Sequence, residues 1–282
     1  MAGRLQNMRI WLPEAHEVGM EILIIHDYRD LETQVELESI CADFPNSRIF
    51  LHSEQFGSPG ATRNFGLKQA QSKYVVFWDS DDLPKPKSFF NEVLKNEGNF
   101  DVLVGQYLTT EQSKNSNGSE RSSDFNLFAF SYTPGLWRMV FLRELISDIE
   151  FGPMKMGEDQ VFLGKCLKRV EKITFSNTVF YEYFLGVEGQ LTRSRKSRIE
   201  LIDAFDEIIS LRRDSEGNQY KYLSIVITRM WLTLAKIALI EKFWPEVIKK
   251  LFRREVFFSH RPIIQFKCTM YVWLRLIGLK IT

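Results

Sequence analysis

The sequence predicts an α/β fold: a mixed sheet flanked by helices, followed by a helical carboxyl-terminal region. Short β-branched or aromatic runs alternate with helix-like stretches over roughly the first two thirds of the chain, the pattern of a layered α/β sheet. Two of those runs stop at acidic residues, at 27 and at 79–82. That puts charge at the carboxyl edge of the sheet, where open α/β folds bind ligands. The tail differs in charge. From Lys221 onward there are twelve Lys/Arg against three Asp/Glu, whereas the preceding 220 residues hold 25 against 33. An acidic body and a basic, aromatic-rich tail are expected to be two functional regions.

Residues 4–19 have roughly helical spacing, with Pro13 as an interruption. Glu21–His26 (EILIIH) predicts a strand ending at Asp27, Leu31–Phe44 a helix, and Ser47–His52 a strand. The loop Phe56–Gly66 holds two early glycines and a proline, and it leads into a helix over Ala61–Ser72. Arg63 then lies in the first turn. A helix amino terminus plus a guanidinium suits an anion, and a simple cap with a surface arginine is the competing reading.

Tyr74–Trp78 predicts a buried strand that delivers Asp79, Asp81 and Asp82, with Pro84 ending the run. Three carboxylates this close repel unless a cation sits among them. Oxygen-only ligation suits Mg²⁺ or Mn²⁺, ions that commonly bridge to phosphates. The alternative is a solvated acidic turn capping a helix that starts near Pro86. Phe89–Glu97 predicts a helix, and Phe100–Gly105 a strand with Gln106–Thr109 extending it. The polar stretch Glu111–Asp124 reads as a mobile loop rather than a domain boundary.

Pro134–Ser147 carries Trp137, Val140, Phe141 and Leu145 at helical spacing, expected as core. Gly157 precedes Glu158 and Asp159, which open a further helix. There the acids either complement the positive helix end or supply a general base. Ile173–Tyr183 predicts a strand. Gly186–Arg198 is a cationic loop, either a solvated turn or a lid whose Arg193, Arg195 or Arg198 meets phosphate. Ile199–Arg213 and Gln219–Phe243 predict amphipathic helices.

Composition narrows the class. The apolar fraction of 44% is ordinary for a globular chain, and a net charge of +1 carries no general nucleic-acid signal. Cys41, Cys166 and Cys268 are far apart, which favours a reducing compartment and no structural zinc. No secretory apolar segment opens the sequence. The most apolar run, Tyr222–Trp244, is interrupted by Arg229 and Lys236, so no spanning helix is expected. A cytoplasmic protein follows.

These pieces stand in a familiar order, and the chain resembles the family 2 glycosyltransferases of GT-A (Rossmann-like) fold. The strand ending at Asp27 resembles the family's strand–Asp–Asp turn, with His26 in place of the first acid. Gly60-Ala-Thr-Arg-Asn-Phe-Gly66 resembles its glycine–alanine–arginine–asparagine loop, and Phe77-Trp-Asp-Ser-Asp-Asp82 its DxD motif. Gly157-Glu-Asp159, about 75 residues on, resembles its catalytic acid pair. The resemblance spans roughly residues 5 to 195 and implies roles. Asp27 sits near the nucleotide base and Arg63 on the nucleotide or its phosphates. Asp79 faces the ribose or metal, Asp81 holds the metal on the diphosphate, and Asp82 shapes the sugar end. Asp159 takes the acceptor proton with Glu158 in support, and Arg193 belongs to a loop that closes over the donor. Inversion by single displacement and a UDP-linked donor are implied as well. The family ordinarily begins one strand earlier, with a strand central to the sheet that walls the base pocket. Nothing here precedes the helix-like residues 4–19.

The expected organisation is therefore a transferase domain over residues 1–198 and a helical, basic, aromatic-rich region over 199–282. The expected partners are a nucleotide-sugar donor and a glycan or lipid-linked acceptor, in bacterial surface polysaccharide synthesis. Lys242–Lys280 alternates cations with Trp, Phe and Ile. That suits either peripheral contact with the inner face of a membrane or a helical subdomain with a basic rim. No nucleic-acid-binding motif is present. Two other functions stay open: a catalytically inactive nucleotide-binding protein of the same fold, and a nucleotidyltransferase, against which the Gly157-Glu-Asp159 motif argues.

Overall fold

The computed structural model describes residues 2–27, 30–51, 56–111, 119–122, 126–185, 195–240, 245–257 and 260–277. The chain forms two compact units. One holds Met1–Ser123, Gly135–Phe151 and Val170–Gln190, and the other holds Asp124–Pro134, Gly152–Arg169 and Leu191–Thr282.

The first unit opens with α1 (Ala2–Glu17). Its Leu5, Met8, Leu12 and Ala15 recur at helical spacing and are buried. Pro13 sits inside this helix and does not interrupt it. Pro13 and Arg9, whose carbonyl loses its amide partner, both lie on the exposed face, so water takes that hydrogen bond. β1 (Ile22–His26) and β2 (Ser47–Leu51) pair in parallel around α2 (Leu31–Cys41). Asp30 caps α2 by accepting the Thr33 N–H at 2.7 Å. Ile22, Leu37 and Ile40 close a core against α1.

α3 (Pro59–Gln69) begins two residues before its predicted start, because Ser58 caps it and Pro59 occupies its first position. Arg63 therefore belongs to the second turn. The predicted strand over Tyr74–Trp78 shrinks to β3 (Tyr74–Val75). β3 pairs with a later strand and, among the described residues, has no partner on its other edge. β4 (Leu83–Pro84) is a terminal strand of its sheet, a position that tolerates proline. α4 (Pro86–Lys95) buries Phe89. β5 (Val102–Glu111) starts two residues after the predicted start and ends two residues past the predicted end, and β6 (Ser119–Arg121) pairs antiparallel with it. The polar stretch read as a loop thus contains a strand within its described part.

α5 (Leu127–Tyr132) belongs to the second unit. The helix expected over 134–147 is instead a 3₁₀ turn (Leu136–Arg138), β7 (Met139–Leu142) and the short α6 (Arg143–Ile146). The reason is tertiary. β7 joins β3 to β5 as an antiparallel partner of both, and cross-strand pairing of Val140 and Phe141 overrides their helical spacing. Both remain core residues, as expected.

α7 (Glu158–Cys166) lies in the second unit, and β8 (Ile173–Leu185) returns to the first. The main sheet runs β3-β7-β5-β8-β4, with β5 and β8 parallel and the other pairs antiparallel. Gly105 of β5 is dictated by packing, since a Cβ there would lie 2.2 Å from the Phe180 ring.

Among the described residues no strand joins the β1–β2 pair to the main sheet. A cavity of about 450 Å³ lies there instead, lined by Ile22–Ile25 on one side and Tyr74–Trp78 on the other.

The second unit continues with α8 (Arg195–Arg213), α9 (Gly217–Ile240), α10 (Pro245–Leu251), α11 (Arg254–Phe257) and α12 (Pro262–Leu276). α9 is its axis, packed on by α5, α7, α8, α10 and α12. Tyr222, Leu223, Ile225, Val226 and Ile227 are wholly buried on it. Its apolar length is spent on this core, and among the described residues no helix is long and apolar enough to cross a membrane.

Candidate nucleotide-binding site

The acidic turn after β3 is held from three directions. Trp78 packs edge-on against Trp11 at 5.3 Å and against Phe89 at 5.3 Å. The Asp79 N–H donates to the Tyr181 hydroxyl of β8 at 3.1 Å. Asn7 of α1 donates to the Asp81 carbonyl at 3.2 Å. Within the turn the Asp82 N–H reaches the Asp79 carbonyl at 3.4 Å. These bonds pin the backbone of the turn and use no carboxylate oxygen of Asp79 or Asp81.

The three carboxylates have different surroundings. Asp79 receives Arg63 Nη2 at 2.8 Å, so α3 and the acidic turn meet as a cation–carboxylate pair. Arg63 also stands 5.7 Å over the Phe151 ring. Asp81 is partly buried; Asn7 bonds its backbone carbonyl, and its carboxylate has no hydrogen-bond or ion-pair partner among the described residues. Asp82 is buried and accepts the Phe184 N–H at 2.8 Å. Burial, reinforced by the charges of Asp79 and Asp81, pushes the Asp82 carboxyl up to about 8, against the opposing Phe184 and Tyr181 hydrogen bonds. Burial, together with the charges of the same acids, raises the fully enclosed Tyr181 hydroxyl well above its ordinary value.

Asp82 thus keeps its proton at neutral pH in the folded chain and loses it near pH 4 when unfolded. Unfolding releases a proton between those limits, so stability falls as pH rises from about 4 to about 8, by at most ~1.4 kcal/mol per pH unit. Asp82→Asn removes this dependence. In metal-free buffer, urea midpoints of wild type and variant should diverge in the variant's favour towards pH 8. Parallel curves would show that Asp82 does not titrate in this window.

Asp27 follows β1 and accepts the Phe56 N–H at 2.5 Å, tying the β1 end to the loop before α3. Asn64, next to Arg63, bonds both the N–H and the carbonyl of Phe151, at 2.8 and 3.0 Å. It fixes the helix that aims the guanidinium. Arg63 and Asp79 both line the cavity beside β1.

Glu158 and Asp159 open α7 as expected, and Gly157 is its cap at φ 86°. They belong to the second unit, whereas Asp27, Arg63 and the acidic turn belong to the first. Glu158 is buried. Asp159 lies beside the enclosed Tyr222, whose hydroxyl is raised by burial first and by the Asp159 charge second. Arg193 lies outside the described residues.

Among the described residues no three His, Cys, Asp or Glu side chains converge as a metal cage. The donor set still fits a magnesium-like ion, which takes one or two carboxylates and completes its shell with water and substrate phosphate. Asp81 is an oxygen donor of that kind, with Asp79 two residues away.

A model of glycosyl transferase family 2 matches residues 16–156, half of the chain, taking in Asp27, Arg63 and the acidic turn. The chain belongs to glycosyl transferase family 2. The family match stops just before Glu158 and Asp159. The chain is 22% identical over 204 residues to the minor teichoic acid biosynthesis protein GgaB of Bacillus subtilis (strain 168), covering 66% of this chain and 23% of that protein. It is 25% identical over 227 residues to a poly(ribitol-phosphate) beta-glucosyltransferase of Bacillus spizizenii, covering 74% and 35%. The chain thus spans 23–35% of the length of these relatives.

Two solved structures share the fold. S. aureus TarS 1-349 in complex with UDP-GlcNAc superposes with a TM-score of 0.67 at 17% identity, over 98% of this chain and 90% of that one. GalNAc-T7 with UDP, GalNAc and Mn²⁺ superposes with a TM-score of 0.54 at 13% identity, over 92% and 52%. The architecture of this family 2 chain is the GT-A fold that the motif order implies.

Sequence reasoning missed the supports of the site. Tyr181 carries no motif signal, because a tyrosine in a strand reads as core. Asn7 is one polar residue on an unremarked helix. Asn64 stood inside the recognised loop motif and could have been singled out.

Proposed function

We propose that this protein is an inverting glycosyltransferase that moves a sugar from a UDP-linked donor to a hydroxyl of a surface glycan or lipid-linked acceptor. The observation that carries this reading is the Arg63–Asp79 pair beside an Asp81 carboxylate that has no partner among the described residues. A diphosphate with its metal needs one cation and one or two carboxylates, and this is that set. In the free site Arg63 and Asp79 neutralise each other. On binding, Arg63 turns to the diphosphate, Asp79 to the ribose or metal, and Asp81 to the metal. A bound Mg²⁺ or Mn²⁺ would neutralise charge on the leaving nucleoside diphosphate.

The remaining residues keep the implied roles. Asp27 lies towards the base, Asp82 forms the floor of the sugar end, and Arg193 closes over the donor. Asp159 takes the proton from the acceptor hydroxyl, with Glu158 behind it. Support for a surface-polymer acceptor comes from the relatives, one named for teichoic acid biosynthesis and one for poly(ribitol-phosphate).

Titration calorimetry of UDP into the full chain tests the site. Binding is expected with Mn²⁺, to weaken strongly with chelator, and to be lost in Asp81→Ala. Metal-independent binding, or an unaffected variant, sinks the assigned metal role. A second reading, nucleotide binding without transfer, is favoured by the cavity left open between β1 and β3. Metal-dependent UDP binding with no release of UDP from any donor–acceptor pair would establish it.

A further inference from the structure

α12 is apolar on two sides. Cys268, Tyr271 and Val272 are buried against Ile225 and the α5 side chains Phe128 and Tyr132. On the other side Ile263, Phe266, Met270, Trp273 and Ile277 are 73, 66, 39, 49 and 71% exposed. Their spacing of three and four residues makes one continuous stripe. A helix apolar all round is ordinarily covered, and an exposed apolar stripe of this extent marks an interaction surface.

The charged side chains of α12 itself have one sign: over Pro262–Leu276 there is no Asp or Glu, but there are Lys267 and Arg275, while Arg261 just before the helix pairs with Glu216 at 3.1 Å. Lys267 is exposed beside the stripe.

We propose that this face of α12 lies in the surface of an anionic lipid membrane. Phe266 and Trp273 enter the boundary between headgroups and acyl chains, and Lys267 stays at phosphate level. The helix has 15 residues, so it is about 22 Å long and too short to span a hydrocarbon core of about 30 Å. It lies in the membrane plane. Charge decides between a lipid and a second copy of the chain. Two such helices face to face would oppose Lys267 to its own copy with no carboxylate on α12 to pair it, whereas anionic headgroups neutralise it. The proposal goes beyond the transferase reading and does not depend on it.

Flotation of the full chain with vesicles is the test. Vesicles of phosphatidylcholine with one third phosphatidylglycerol should bind it about tenfold or more above phosphatidylcholine alone, with binding falling as salt rises. Phe266→Glu with Trp273→Glu should reduce binding about tenfold or more at unchanged melting temperature, because both side chains are exposed. Lys267→Glu should weaken it less. Leu94→Glu, at an exposed apolar site in the other unit, should leave it unchanged. Failure of the full chain to float with anionic vesicles overturns the proposal, as does undiminished binding by the double variant. Light scattering that shows a dimer dispersed by the double variant, with no vesicle binding, would assign the stripe to a second copy instead.

Discussion

Asp159→Asn should slow sugar transfer by about 10²–10⁴-fold, the usual contribution of a positioned general base. Asparagine keeps the shape and loses the proton acceptor. Because Asp159 sits on a different compact unit from the Arg63–Asp79 pair, metal-dependent UDP binding should survive the change. The two measurements together identify the role. A large fall in UDP release with unchanged UDP affinity marks a residue acting on the acceptor. A rate loss below about tenfold, or a parallel loss of nucleotide affinity, would remove Asp159 from the base position. Glu158→Gln tests the supporting role, and its expected effect is smaller. Glu158 is buried, so its variant also needs a melting curve to separate misfolding from lost support.

Gly157→Ala should destabilise the chain by about 2–4 kcal/mol, from two sources that add. The residue sits at φ 86°, where a side chain strains the backbone. Its Cβ would also lie 2.7 Å from the Ala204 Cβ and 3.3 Å from a Leu201 methyl. Gly98 provides the control. It has a comparable φ of 76° with nothing within 4 Å of an added Cβ, so Gly98→Ala should cost only the backbone share, about 1 kcal/mol. Urea unfolding of both variants measures the difference. Equal losses would mean that α8 yields to the new methyl and that crowding does not select glycine here. Gly157 thus sets the direction in which α7 starts, and with it the placement of Glu158 and Asp159.

The site was legible to different depths in different places. Arg63, Asp79 and Asp81 were readable because their chemistry is local: a guanidinium in a glycine-rich helix start, and acids crowded after an apolar run. Their partnership at 2.8 Å was not readable, since sixteen residues separate Arg63 from Asp79. Asp82 looked like its neighbours in sequence and differs from them in space. Phe184, from a strand a hundred residues away, encloses it and gives it a hydrogen bond. Tyr181 and Asn7 support the turn by bonds of the same long range, and nothing in their own neighbourhoods announces this.

The sequence by itself determined where helices and strands alternate over most of the chain, and the order of motifs that places the chain in family 2. Those properties depend on periodicity, side-chain reach of a few residues and local backbone preference. Only the tertiary structure decided that Met139–Leu142 is a strand, because its neighbours β3 and β5 supply the hydrogen bonds. It alone also decided that Tyr74–Trp78 pairs at two positions, since among the described residues one edge of that run has no neighbour. In the same way, packing against α9 and α5 buried one apolar face of α12 and left the other in solvent. A strand is completed by its partners and a surface by what fails to cover it, and both are relations between segments far apart in the chain.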